Sequence, residues 1–349
     1  MLSVAIIGAG GIGRIRANSI RESKTGFVSR IVDVDRGRAE ELAEALHARS
    51  CTDWREAVSD PKIDCVVVST PTKFHAEIVK GALEGGKHVL CEKPLARNVQ
   101  EARAVADAAQ RTGRVLKTGF NYREMAHVRK AQELLRAGAI GAPHFLRCRY
   151  GHGGRPQYED HWCTDFDMSG GGVLQEQGIH ILDLTRILLG EPARVMAQMR
   201  RYFWSFRGTE DNCFCLLETA TDQVAQIHVS WTKWKNILEI EVFGHDGYLR
   251  LEGRDGHYGP QRLTFGKRNA THGKPEEQVF TFDGAESSWN LEWQTFTAMV
   301  LNGADRRSAA LQGLEAQKIV EAAYRSAAEQ RWIATSLGEA SNDHYANAI

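Results

Sequence analysis

A glycine-rich turn, Gly8-Ala9-Gly10-Gly11-Ile12-Gly13, follows the apolar run Val4 to Ile7 and opens a helical pattern. Residues of these types at this spacing make an anion cradle. Gly8 permits the tight turn, Gly10 lets the backbone approach a pyrophosphate, and Gly13 lets the helix pack on the strand. The helix start at Gly11 and Ile12 offers unpaired N–H groups and a positive dipole end. A second apolar run (Phe27, Val28, Ile31, Val32) ends at Asp33, twenty positions past Gly13. A carboxylate there can accept from both ribose hydroxyls, so the three parts together predict dinucleotide binding. Asp33 would repel a 2′-phosphate, which favours NAD, while Arg36 and Arg38 keep NADP open.

Three further groups stand where strands of the same half end. They are Ser69-Thr70-Pro71 with His75, then Glu92-Lys93-Pro94, then Gly119-Phe120-Asn121-Tyr122-Arg123. Ser69, Thr70, Pro71, His75, Glu92, Lys93 and Asn121 are read as cofactor-facing, and Tyr122 and Arg123 as substrate-facing. Removing a hydride from an alcohol carbon requires loss of the hydroxyl proton, so a base must lie within hydrogen-bond reach. Desolvation and the positive ring of an oxidised nicotinamide would both lower a lysine pKa toward neutrality. From position alone, Lys93 reads equally well as a surface lysine beside a helix start.

In the second half, Val173 to Leu189 is apolar on nearly every side and predicts a buried helix. Glu176, His180 and Asp183 nevertheless lie at i, i+4 and i+7 of it, on one face. Ionisable groups buried on one stripe are costly unless paired or used. They read as a catalytic or substrate-holding set, with a structural Glu–His pair tying two helices as the bland alternative. Metal ligation by Glu176, His180 and His161 lacks clear further ligands, so no metal is expected. Gly178 inside that helix suggests a close approach by another group. Between 151 and 169, Arg155, Tyr158, Asp160, His161 and Trp162 join His152 in a glycine-opened loop. Their aromatic faces and forked polar groups suit a polyhydroxylated ring, and loops also collect such residues without a role.

These groups need elements to hold them. Up to about residue 120, short apolar strands alternate with helical patterns, which predicts a parallel sheet with ligands at the carboxyl ends of its strands. Asn98 with Glu101 predicts a capped helix start. After 120 come a helix (Ala126 to Arg136) and then strand-like runs at His144–Tyr150, Arg194–Trp204, Cys213–Glu218, Val224–Trp231, Leu238–Phe243 and Tyr248–Leu251. A helix at Ala310–Ala327 closes the chain. The fold class is therefore α/β, a Rossmann domain over 1–120 plus an α/β domain over 121–349 with a mostly antiparallel sheet. Lys+Arg and Asp+Glu both number 44, which gives no electrostatic case for nucleic acid or an anionic membrane. The seven cysteines lack zinc spacing and read as reduced thiols, no run reaches membrane-span length, and the cytoplasm is the expected compartment.

Taken together, the glycine turn, Asp33, Ser69-Thr70-Pro71 with His75, Glu92-Lys93-Pro94 and Gly170-Gly171-Gly172 through His180 and Asp183 resemble the Gfo/Idh/MocA oxidoreductases. That family includes glucose–fructose oxidoreductase and inositol dehydrogenases. The resemblance implies an open-faced second domain, Lys93 as the proton-transfer lysine, and His180 with Glu176 completing the site. It implies a frequently cis Lys93-Pro94 bond. Many members carry aspartate where this chain has Glu176. The implied activity is an NAD(P)-dependent dehydrogenase or reductase for a sugar, sugar acid or cyclitol. Two alternatives share the same residues: an NAD-dependent glycoside hydrolase working by transient oxidation and elimination, and a non-catalytic nucleotide-binding sensor. An open sheet face needs covering, which predicts a homodimer or homotetramer through it.

Overall fold

The computed structural model describes residues 1–283, 287–303 and 306–336. The last part of the expected second domain, 337–349, lies outside the described residues. The chain forms two compact units, Met1–Asn121 with Trp289–Gln317, and Tyr122–Ser288 with Lys318–Ile349.

The first unit alternates strand and helix: β1 (Leu2–Ile7), α1 (Gly11–Ser23), β2 (Gly26–Val32), α2 (Arg36–Leu46), β3 (Arg49–Cys51), α3 (Trp54–Ser59), β4 (Cys65–Val68), α4 (His75–Glu84), β5 (His88–Glu92), α5 (Val99–Thr112) and β6 (Leu116–Gly119). All six strands are parallel, in the order β3-β2-β1-β4-β5-β6. The order reverses between β1 and β4, and in such sheets ligands bind outside the carboxyl ends at that point. Cys65 to Val68 is wholly buried, as its unbroken apolar run predicts. The Asn98 side chain accepts from the Glu101 N–H at 2.9 Å. Glu101 reaches back to the N–H of Arg97 at 3.1 Å, one residue earlier than a capping box would place it. The expected boundary at 120 left out a returning segment. Trp293 and Phe296 pack in one core with Ile6, Ile20, Val28 and Ile31, and the Trp293 indole N–H donates to Thr25 at 2.9 Å.

The second unit contains α6 (Ala126–Arg136), β7 (Pro143–Gly151), α7 (Phe166–Ser169), α8 (Ile179–Leu188), β8 (Pro192–Arg200), β9 (Asn212–Thr219), β10 (Val224–Ser230), β11 (Ile237–Gly244), β12 (Gly247–Glu252), β13 (Gln261–Lys267) and β14 (Glu276–Phe282). They are followed by α9 (Ser288–Asn302), which from Trp289 on belongs to the first unit, by α10 (Arg306–Glu329), which belongs to the first unit up to Gln317, and by β15 (Ile333–Ala334). Nine strands order as β14-β13-β12-β11-β7-β10-β9-β8-β15, antiparallel except for β7 with β10. The expected strand Arg194–Trp204 ends early, at Arg200. The buried carboxylate of Asp211 accepts the N–H groups of Tyr202, Phe203 and Trp204 at 2.8–3.1 Å and turns the chain away from the sheet. Strands β13 and β14 were not expected, because their polar residues hide the alternation; β14 is mostly exposed. No helix among the described residues is long and apolar enough to cross a membrane.

A buried histidine on α6 gives this unit a pH signature. Burial pushes the His127 imidazole down to about 4. Between that value and its unfolded value of 6.5, the unfolded chain binds more protons, so stability falls as pH drops through this window. Glu210, buried and pushed up to about 7, acts oppositely: its contribution is lost as pH rises from 4.5 toward 7. The difference between wild type and His127→Gln isolates the first effect. The variant should lose up to about 3 kcal/mol less stability between pH 6.5 and 4, read by denaturant unfolding at several pH values.

Candidate functional site

Gly8, Asp33, Ser69, Glu92 and Gly119 stand at the carboxyl ends of β1, β2, β4, β5 and β6, along one edge of the parallel sheet. Gly8 has φ +102°, and a Cβ on it would lie 2.6 Å from the Ser69 carbonyl oxygen, while one on Gly13 would lie 1.9 Å from the Gly8 carbonyl oxygen. Each of these two positions excludes any larger residue. Around Gly10 and Gly11, by contrast, the space is open. The first turn of α1 carries no acidic residue, so its N–H groups and dipole are left for an outside anion. Asp33 accepts the Ala9 N–H at 2.8 Å on one oxygen, and the Asp35 N–H at 2.9 Å and the Arg38 guanidinium at 3.2 Å on the other. The oxygen that takes only the Ala9 N–H keeps a lone pair for a ribose hydroxyl. The open cradle and the oriented carboxylate fit a dinucleotide. Ile12, half-exposed on the first turn, borders the cradle.

The loops bearing Thr70 and Lys93 are joined by His75. Its Nδ1 lies 2.8 Å from the Pro94 carbonyl and its Nε2 2.9 Å from the Thr70 carbonyl. This buried ring is a strut between the two loops, and burial lowers its pKa. Lys93 is half-buried, its bond to Pro94 is cis, and Asn121 is buried beyond the end of β6. Glu92, the residue before the lysine, is turned inward. It pairs with Arg16 of α1 at 2.6 Å, Arg16 pairs with Glu292 at 2.7 Å, and Lys117 meets Glu292 at 3.3 Å. Trp289 covers the guanidinium, with its ring centre 4.5 Å away. Burial raises the Glu92 pKa against the opposing pull of Arg16. Arg16, Lys117 and Glu292 were missed in the sequence. Arg16 did carry a signal: it occupies a buried-stripe position of α1 with Gly13, Ala17 and Ile20.

In the second unit the expected single helix over Val173–Leu189 is broken into a π-helical turn, Leu174–Gly178, followed by α8. Single π turns recur at functional sites. The close approach at Gly178 comes from the side chains of Leu174 and Val229. What holds the turn is Glu210, also missed in the sequence. Its carboxylate accepts the N–H groups of Gly172 and Leu174 at 3.0 and 2.9 Å and the Tyr324 hydroxyl at 2.9 Å. Glu176, His180 and Asp183 are all buried, as the pattern predicted. Asp183 is committed to Arg123, which donates to it at 2.6 and 2.5 Å, with Arg186 behind at 3.6 Å. Arg123 and Asp183 therefore hold one another.

His180 stacks face to face on Tyr122, ring centres 3.9 Å apart and 7° from parallel. The Tyr122 hydroxyl lies 2.5 Å from that of Tyr150, and Arg254 donates to both. Tyr150, Arg254 and Tyr258 were not singled out from the sequence, since each sits alone among ordinary strand or turn residues. In the loop, Tyr158 is buried against Trp204, Phe206 and Trp231 at 5.2–5.7 Å. His161 lies 2.9 Å from the Cys163 sulfur, Trp162 is half-buried beside it, and Arg155 and Asp160 are exposed. Among the described residues no three histidine, cysteine, aspartate or glutamate side chains are grouped as metal ligands.

Residues 2–120 match the model of the oxidoreductase family with an NAD-binding Rossmann fold, and residues 128–250 match the GFO/IDH/MocA C-terminal domain. The chain is 31% identical over 191 residues to a myo-inositol 2-dehydrogenase of Thermotoga maritima, covering 54% of this chain and 55% of that protein. It is 28% identical over 334 residues to an inositol 2-dehydrogenase of Rhizobium meliloti, covering 94% and 97%. The chain spans about half the length of the first of these relatives. In structure it resembles a levoglucosan dehydrogenase in complex with NADH and levoglucosan, with TM-score 0.87 and 23% identity over 96% of this chain and 100% of that one. At that identity the likeness concerns the fold.

Proposed function

Because the chain belongs to the Gfo/Idh/MocA oxidoreductase family, we propose that it is an NAD(P)-dependent dehydrogenase or reductase acting on a CH–OH group of a sugar, sugar acid or cyclitol. The observation that carries this reading is the cradle at Gly8–Gly13 with Asp33 oriented beside it, on the same sheet edge as Lys93. When bound, a nicotinamide dinucleotide supplies the hydride acceptor. Lys93 takes the hydroxyl proton as the carbon–hydrogen bond breaks, leaving a carbonyl. His180 assists in proton transfer, and Glu176 orients His180 or a neighbouring hydroxyl. Arg123 and Asp183 position α8, while Arg155, Tyr158, Asp160, His161 and Trp162 frame the substrate. Wild type should reduce NAD with a sugar or cyclitol and release free NADH, as a panel followed at the reduced-nicotinamide absorbance reports.

Asp33 sets the cofactor preference. Asp33→Ser removes the carboxylate and leaves Arg38 for a 2′-phosphate. The ratio of kcat/KM for NADP over NAD should rise tenfold or more, equivalent to about 1.4 kcal/mol.

The chain acts as a homodimer or homotetramer through the uncovered face of the nine-stranded sheet. Phe145, Phe214, Leu216 and Val224 are each 38–40% exposed there, alternating with the ion pair Arg149–Glu239. A groove of about 440 Å³ crosses this face, and contiguous apolar surface of this kind marks an interface. Light scattering at micromolar concentration should report an oligomer that Leu216→Asp dissociates; a monomeric wild type contradicts it.

A further inference from the structure

We propose that Arg254, with Tyr122, Tyr150 and Tyr258, is a carboxylate-binding site, and that the substrate is an acidic sugar whose carboxylate sits against this guanidinium. The inference deepens the dehydrogenase reading and rests on it.

Arg254 follows β12 and is half-buried. Its guanidinium carbon lies 4.7 Å from the Tyr258 ring centre and 5.3 Å from that of Tyr122. One nitrogen, Nη1, donates to the hydroxyls of both Tyr122 and Tyr150. Among the described residues no carboxylate pairs with it. A half-buried cation without an acidic partner is costly, unless a ligand supplies the charge.

The proton count points the same way. The two hydroxyls each accept from Arg254 and share one hydrogen bond at 2.5 Å. That bond uses one of their two O–H protons. The Tyr258 hydroxyl shares a further hydrogen bond with Tyr150, and the Nε and Nη2 protons of Arg254 remain to be given. The guanidinium makes the cluster donor-rich around a fixed positive charge. A carboxylate suits it better than a neutral hydroxyl, because it brings the opposite charge and the guanidinium fork fits it bidentately.

Tyr122 presents its hydroxyl to Arg254 and its face to His180 at 3.9 Å, so a single ring separates the cation from the imidazole assigned to proton transfer. Burial, helped by the positive field of Arg254 and Arg155, pushes the His152 imidazole down to about 4. Arg155, stacked 5.8 Å over Tyr158, likewise has no acidic partner among the described residues.

The test compares kcat/KM of the full chain with NAD for D-glucuronate and D-galacturonate against D-glucose, D-galactose, myo-inositol and D-glucose 6-phosphate. A uronate should be preferred over its neutral counterpart by tenfold or more. Arg254→Met should bring that acid-to-neutral ratio down to about one, and Arg254→Lys, which keeps the charge and loses the fork, should restore only part of it. Equal or better use of the neutral sugars overturns the acidic-substrate inference and leaves the dehydrogenase reading standing. Preference for the phosphate overturns the carboxylate assignment. Should nothing in the panel be turned over, calorimetry of the uronates on NADH-loaded protein decides. Binding that Arg254→Met abolishes supports the anion site while the dehydrogenase reading fails, and absence of binding overturns the site.

Discussion

Lys93→Met should lower kcat for hydride transfer by about a thousandfold, within the range that general acid–base groups contribute, and leave NADH affinity nearly unchanged. The side chain is half-buried at the end of β5. The cradle proposed for the dinucleotide is built from different residues, Gly8 to Gly13 and Asp33. Methionine keeps the length and apolar stem of lysine while removing the amine, so the loop tied by His75 to the Pro94 carbonyl should persist. Fluorescence titration with NADH and single-turnover absorbance separate binding from chemistry. A variant that binds and still turns over at the wild-type rate removes Lys93 from the mechanism.

Arg16→Met should destabilise the protein by about 3–5 kcal/mol, the usual result of breaking a buried ion network by removing one partner. Arg16 is 1% exposed and holds two carboxylates, Glu92 and Glu292, both buried. Without it, those carboxylates face one another with only Lys117 beside Glu292, and at least one must take up a proton. Thermal unfolding should show a lower Tm, and the loss should grow as pH rises and both carboxylates are forced to ionise. The double variant Arg16→Met, Glu92→Gln should recover part of the loss, because the remaining Glu292 keeps Lys117 as its partner. A single variant as stable as wild type contradicts this account of the network.

The parts of the fold legible in the sequence share one property: local pattern and tertiary environment agree there. Cys65–Val68 is an unbroken apolar run because it is buried on both faces, and the glycines at 8 and 13 are demanded by contacts within a few residues or across one strand. Elements that escaped notice depend on distant partners. The early end of β8 at Arg200 is dictated by Asp211, eleven residues later, and the π turn at Leu174–Gly178 by Glu210. A helix-period pattern cannot reveal either. In the candidate site the spacing of Glu176, His180 and Asp183 correctly foretold burial of all three. It could not foretell that Arg123 would claim Asp183, or that Tyr122 would lie flat on His180. Arg254, in the turn after β12, and Tyr150, on β7, meet only in the folded unit, so no short motif marks them.

Net oxidation of a substrate hydroxyl passes a hydride to NAD and releases NADH. Its most direct measurement counts both products in one reaction, free NADH by absorbance and oxidised sugar by mass spectrometry, with NAD in excess over protein. The account expects one NADH for each carbonyl formed, over many turnovers. Sugar cleaved from a glycoside with no NADH accumulating, or cofactor bound with no carbonyl formed, would contradict it.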